Sequence, residues 1–299
     1  MSQLHDKQQD AVQSGTINQV IKPLPKDSQS DKAQQAMTRV RPHLKKAVIM
    51  NDKRPMQDRN SLQYTERLQR LGIVSDEDQA RRAAEEYRRI KRPLIQNAVG
   101  KNAAIVQNGR MIMVTSSIPN EGKTYTAVNL ALSIAREKDN TVLLVDGDTA
   151  KASATSLMGL LDKPGLTDVL LEDKDIGEVL YRTDIPDLSI MPAGASHTQV
   201  AELYSSQRMR EVVEELSQRY ADRIIIFDSP PLTATAEAPV LADLVGQVVM
   251  VVEALSTPKK VINEALAMLD RSKPINLVLN KNQLGSGADY YDGYYGYGR

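Results

Sequence analysis

Residues 113–131, MVTSSIPNEGKTYTAVNLA, constrain the fold of this chain more than any other stretch. An apolar run that ends in small residues and leads through a short loop into Gly-Lys-Thr reads as strand, tight loop and helix. That order matches the phosphate-binding loop G-x-x-x-x-G-K-[ST], except that Ser117 stands where the first glycine usually lies. Successive backbone N–H groups and a helix N-terminus in such a loop make a nest for anions. Lys123 can then reach β- and γ-phosphate oxygens, and the Thr124 hydroxyl can ligate Mg²⁺. The residues expected to touch a nucleotide are Ser117, Pro119, Asn120, Glu121, Gly122, Lys123, Thr124 and Tyr125. Asn120 suits the loop because Asn tolerates left-handed backbone. Taken alone, the segment could also be an ordinary strand-to-helix turn containing Gly-Lys.

The chain after residue 111 alternates apolar runs with amphipathic stretches. A strand MIMVTSS is followed by a helix from about Lys123 to Lys138 and by TVLLVDGD. Later come LSIMPAG (188–194), one long helix carrying Val200, Leu203, Val212, Val213, Leu216 and Tyr220, then RIIIFDSPP (223–231). QVVMVVEAL (247–255), a helix from Lys259 and INLVLNK (275–281) complete the series. Runs apolar on both faces and separated by helices predict a doubly wound, mostly parallel α/β sheet of the P-loop NTPase type.

Two of these strands end in acids: Asp146 and Asp148 close VLLVDGD, and Asp228 closes IIIFD. In an open α/β sheet, ligands sit at the carboxyl ends of the strands, so these acids should gather with Thr124. Mg²⁺ on nucleotide phosphates needs hard oxygen ligands and carboxylates that hold its waters. A lone strand-end Asp is usually a loop or cap residue; three around one phosphate loop point to ATP with Mg²⁺.

Composition bounds the remainder. The chain has 299 residues, with no Cys and only three His, at positions 5, 43 and 197, so thiol chemistry, disulfides and a His or Cys metal cluster are excluded. No run approaches the roughly 20 apolar residues needed to span a bilayer, and the expected location is the cytoplasm. Residues 1–101 hold 20 of the 38 basic residues but only 12 of the 38 acidic ones. No aromatic residues interleave those charges as a stacking surface would require, so nucleic acid is not the expected partner. Residues 1–60, polar with scattered Pro, read as a disordered N-terminal arm. From Ser75 a helix begins, with Ala80, Ala83, Ala84, Tyr87, Ile90 and Leu94 on one stripe. Residues 75–284 form the expected core domain. The last fifteen residues, 285–299, cannot build a core, yet they hold five of the eleven Tyr: Tyr290, Tyr291, Tyr294, Tyr295 and Tyr297.

On these residues the chain resembles the bacterial tyrosine autokinases that accompany exopolysaccharide export. TSSIPNEGKT corresponds to Walker A, LLVDGD to the additional Walker A′ and IIFDSPP to Walker B, and the Tyr-rich tail completes the likeness. EYRRIKRPLI is most similar to the autokinases of exosortase-linked loci. The resemblance implies that Lys123 neutralises phosphate charge and that Thr124, Asp148 and Asp228 hold Mg²⁺. It also implies that Asp146 accepts the proton of an incoming tyrosine, with Asp146 and Asp148 able to exchange roles. Ala150 stands where the family's Walker A′ often has Arg. Glu86, Arg89 and Arg92 match the family's E-x-x-R-x-x-R spacing, linked there to ring-like self-association; Glu85 to Arg89 and Glu86 to Arg89 also read as ordinary intrahelical ion pairs. The implied partners are further copies of the chain, phosphorylating one another's tail, a membrane polysaccharide co-polymerase as activator, and a phosphotyrosine phosphatase. The kinase would then sit at the inner face of the plasma membrane through that partner. Two other readings share the motifs: a partitioning or positioning ATPase, whose signature Lys position is occupied here by Ile118, and an assembly module that uses nucleotide without transferring phosphate.

Overall fold

In the computed structural model of the chain, the residues described are 64–70, 77–172, 174–197 and 199–282. The arm read at 1–60 and the tyrosine tail at 285–299 lie outside them. A seven-stranded sheet runs through the middle: β1 (Met111–Ser116), β2 (Thr141–Asp146), β3 (Tyr181–Arg182), β4 (Leu188–Met191), β5 (Arg223–Asp228), β6 (Gln247–Glu253) and β7 (Ile275–Asn280). Their spatial order is β3-β4-β2-β5-β1-β6-β7, and only β3 runs antiparallel.

Alternation along each strand divides the interior into two cores. Met111 and Met113 of β1, Leu143 and Val145 of β2, and Ile225 and Phe227 of β5 face one side. That side is covered by α5 (Leu166–Glu172), α7 (Gln207–Arg219) and α8 (Glu237–Leu244), with α9 (Lys259–Ala267) and the short α6 (Val200–Ser205) at its margins. Ile112, Val114, Val142, Leu144, Ile224 and Ile226 face the other side, beneath α2 (Glu77–Ala98), α3 (Lys123–Ala135) and α4 (Ser153–Met158). Each buried Val, Leu or Ile contributes roughly 1.5–3 kcal/mol by leaving water, so the central strands anchor the fold.

A short helix, α1 (Tyr64–Arg70), lies between the arm read at 1–60 and the helix read from Ser75, and its Tyr64 and Leu68 are buried in the second core. The Asp184 carboxylate accepts the Tyr64 N–H at 3.1 Å. Arg67 donates at 2.7 Å to the Leu157 carbonyl, which the end of α4 leaves open, and at 2.9 Å to the Ser156 carbonyl, which also accepts the Gly159 N–H. Helix α2 starts near the predicted position and buries Tyr87 and Leu94. Lys91 fastens it to the end of α3 through the Ser133 carbonyl and Glu137.

Three sequence expectations are corrected. The single helix predicted across Val200 to Tyr220 is broken at Ser206, whose backbone is extended (φ −69°, ψ 159°) and whose hydroxyl caps α7 by accepting the Met209 N–H. The predicted run of helix to Lys138 ends at Ala135. A sheet apolar and covered on both faces holds for the central strands but not at the edge: Leu277 and Leu279 of β7 remain 54% and 64% exposed. Their apolar character mimics a buried strand, but β7 has a neighbour only in β6.

Candidate functional site

Three parallel strands, β2, β5 and β1, lie side by side, so the motifs after each of them meet at one edge. After β1, the chain turns through residues 117–122 into α3. Asn120 and Gly122 both adopt left-handed backbone, with φ 71° and 97°. Gly122 is doubly constrained, since a Cβ there would lie 2.0 Å from the Asn280 amide nitrogen. No side chain caps α3, and the N–H groups of residues 120–124 donate no hydrogen bond among the described residues. Those amides at a helix N-terminus have the arrangement that an anion nest requires.

The residues after β5 zip onto the root of this loop. Ser229 N–H donates to the Val114 carbonyl, Leu232 N–H to Ser116, and Thr233 donates to the Ser117 carbonyl through both its N–H and its hydroxyl, the latter at 2.6 Å. Ser117 is wholly buried, which explains why only a small residue can replace the missing glycine. The Gly147 N–H donates to the Asp228 carbonyl at 2.7 Å, drawing the β2 end to the β5 end.

Lys123 occupies the resulting space. Its Nζ lies 2.7 Å from Asp148 Oδ2 and 3.8 Å from Asp228 Oδ1, and all three side chains are nearly or fully buried. Burial alone would lower the lysine's affinity for its proton, but Asp228 and Asp148 outweigh it and hold the ammonium charged. The Asp228 carboxylate is enclosed, with only the Thr124 hydroxyl near enough to donate and not in good hydrogen-bond geometry, and burial pushes its pKa up to about 7 against the opposing pull of Lys123 and Thr124.

Asp146 behaves differently. Its Oδ1 accepts the Asp148 N–H at 3.2 Å, and its Oδ2 accepts both the N–H and the hydroxyl of Thr155 at 2.7 Å. Thr155 in turn accepts the Ala193 N–H at 2.8 Å, and the buried Tyr204 hydroxyl donates to the Gly147 carbonyl at 2.7 Å. Burial raises the Asp146 pKa. Asp146 thus braces the β2 loop, whereas Asp148 and Asp228 face Lys123. Thr155, Tyr204, Thr233 and Asn280 carry no motif signal; only their meeting in space identifies them.

The remaining predicted contacts surround this centre. Thr124 is half-buried, while Pro119, Asn120 and Tyr125 are exposed at the rim. Glu121 is fully buried, with its carboxylate turned away from Lys123 toward the loop after β6. On α2, Glu86, Arg89 and Arg92 are exposed, and the ion pair on that face joins Glu85 to Arg88 at 3.0 Å instead of to Arg89.

Among the described residues no group of three or more His, Asp or Glu is arranged to hold a metal by itself. The donor set fits Mg²⁺ only together with nucleotide phosphate oxygens, which is how this ion is commonly bound. The buried, poorly satisfied Asp228 oxygens, beside the Thr124 hydroxyl, are the groups such a complex would engage.

A family model described as an AAA domain matches residues 109–263. The tyrosine-protein kinase YwqD of Bacillus subtilis is 31% identical over 233 residues, covering 77% of this chain and 93% of that protein. The tyrosine-protein kinase Wzc of Salmonella typhimurium is 27% identical over 197 residues, 65% of this chain but only 27% of that longer protein. Among solved structures, the VpsO kinase domain aligns with a TM-score of 0.58 and 28% identity, over 70% of this chain and the whole of that one.

Proposed function

Because this chain belongs to the bacterial tyrosine-protein kinases, we propose that it is an ATP- and Mg²⁺-dependent autokinase that phosphorylates tyrosines of its own C-terminal tail between copies. One observation carries the reading: a buried Lys123 set between Asp148 and Asp228 at the mouth of an open amide nest. Phosphoryl transfer asks mainly for positioning and charge stabilisation, and this set supplies both.

In this reading the amides of residues 120–124 and Lys123 bind the β- and γ-phosphates. Mg²⁺, held by Thr124, Asp228 and phosphate oxygens, with Asp148 on its waters, would supply further neutralisation of phosphate charge. The tyrosine oxygen takes the γ-phosphoryl group, ADP leaves, and the phenolic proton passes to a carboxylate. Of the two assignments left open by the sequence, we take Asp148 as acceptor because it is the less engaged: it accepts from Lys123 Nζ at 2.7 Å and the Lys151 N–H at 3.3 Å, whereas Asp146 accepts three hydrogen bonds. The acceptors are Tyr290, Tyr291, Tyr294, Tyr295 and Tyr297, on a fifteen-residue segment that can extend at most about 50 Å. Each phosphate adds about −1.5 to −2 charge, so a modified tail would loosen self-association. Glu86, Arg89 and Arg92, exposed on α2, would join copies.

Among the described residues no helix is long and apolar enough to cross a membrane. In this reading a membrane polysaccharide co-polymerase serves as activator and anchor. A phosphatase would reset the tail. Phosphosite mass spectrometry on the protein from cells, beside Lys123→Met and a variant with all five tail tyrosines changed to Phe, tests the proposal. Phosphotyrosine in the tail that vanishes in both variants is expected. An unmodified tail in a protein that binds ATP, with the activator segment supplied, would overturn it in favour of an assembly module.

A further inference from the structure

The phosphate loop is held from two sides, and the side away from β5 has no motif to announce it. Glu121 sits inside the loop itself, yet its carboxylate is wholly buried and addresses the loop after β6. Its Oε2 accepts the Ile118 N–H at 2.8 Å, and its Oε1 accepts the Glu253 N–H at 3.2 Å and the Thr257 hydroxyl. Two further bonds run the same way: the Asn280 amide donates to the Glu121 carbonyl at 2.8 Å, and Lys281 Nζ donates to the Asn120 carbonyl at 2.6 Å while pairing with Glu253 at 3.0 Å.

These contacts fall on Asn120 and Glu121, in the stretch where the backbone is left-handed at Asn120 and again at Gly122. Asn120 is left-handed without being glycine, and Gly122 could accept no side chain against Asn280. Left-handed backbone at a non-glycine position persists only where its surroundings over-determine it. A buried carboxylate is itself costly unless both its oxygens are hydrogen-bonded, and here three donors engage them. Using the Ile118 amide for the latch leaves the amides of residues 120–124 for the anion.

We infer that Glu121 is a positioning residue: with Thr257 as its anchor, it latches the phosphate loop to the β6–α9 connection and presets the amide nest for ATP. The inference rests on the nucleotide-binding reading above. Its consequence is that the β6–α9 loop, which touches no expected phosphate, controls nucleotide affinity.

The test uses the full chain and its Thr257→Val and Thr257→Ser variants, titrated with a fluorescent ATP analogue in Mg²⁺ and assayed for tail phosphorylation across ATP concentrations. Thr257→Val preserves shape but removes the donor. ATP affinity should fall about three- to tenfold, KM should rise in parallel, and kcat should stay within about twofold, with Thr257→Ser restoring affinity. A second variant, Glu121→Gln, would set an amide NH₂ or a lost acceptor against either Ile118 or Thr257, and should shift affinity in the same direction even if Thr257→Val folds poorly. Unchanged affinity in the folded variants, or a fall confined to kcat, would overturn the latch. Failure of the wild-type chain to bind the analogue would instead overturn the nucleotide reading beneath it.

Discussion

The bodies of β1, β2 and β5 and their carboxyl ends are equally buried, but they are built from opposite chemistries. In the bodies, Ile112, Met113, Leu143, Leu144, Ile225 and Ile226 lie essentially out of water against other apolar groups. A residue or two further on, Ser116, Ser117, Asp146, Asp148 and Asp228 are just as enclosed, with Lys123 among them. Transfer from water stabilises the first set, whereas the second must overcome the cost of desolvating charge. Asp146 does so with three hydrogen bonds; Asp228 has only the poorly aligned Thr124 hydroxyl and a lysine 3.8 Å away. A fold selected for stability alone would not leave Asp228 in that state. The contrast separates what holds the sheet together from what the sheet holds ready for a ligand.

Variants at the two places should therefore fail in different ways. At the strand ends, Lys123→Met should lower phosphoryl transfer by about 10²–10³-fold, the scale seen when one preorganised charge-stabilising donor is lost. In the strand body, Leu143→Ala should cost about 3 kcal/mol of unfolding free energy by leaving a cavity in the first core, with KM for ATP essentially unchanged. Denaturant unfolding and steady-state kinetics on both proteins check the pair. A Leu143→Ala protein of normal stability but poor ATP affinity would break the distinction between body and end.

The same division explains what could be read from the sequence. Strand bodies announce themselves, because a run such as RIIIF has one stable setting between two layers of helix. The phosphate loop and the three acids were legible because motif chemistry places them at strand ends, where topology then unites them. The edges were not: β7 is apolar like a central strand, and β3 contains only two residues. The break at Ser206 was hidden because apolar spacing continues through it, and only the cap geometry reveals two helices. Within the site, Thr155 and Thr257 were invisible because they act through contacts across gaps of 9 and 136 residues, to which no local period applies. Glu121 was legible as a loop member but not in its orientation, since spacing says nothing about which way a carboxylate turns.

The smallest expected effect is also the most discriminating. Burial holds the Asp228 pKa near 7, well above that of a carboxyl in an unfolded chain, so the native state binds a proton that the unfolded state releases. The contribution of Asp228 to stability therefore falls as pH rises from about 4 through about 7, because ionising this enclosed group costs more in the fold than in water. Asp228→Asn removes that cost while Lys123 keeps its 2.7 Å partner in Asp148. In the absence of nucleotide the variant should gain on the order of 1 kcal/mol at pH 8, about 2–4 °C in Tm. At pH 5, where Asp228 is already protonated, the gain should shrink toward zero. Its transfer activity should be lost at both. A variant no more stable than wild type at pH 8 would show that the strand end is as well satisfied as the strand body, and the contrast between them would collapse. A pH-dependent gain together with lost activity would place the cost and the function on the same carboxylate.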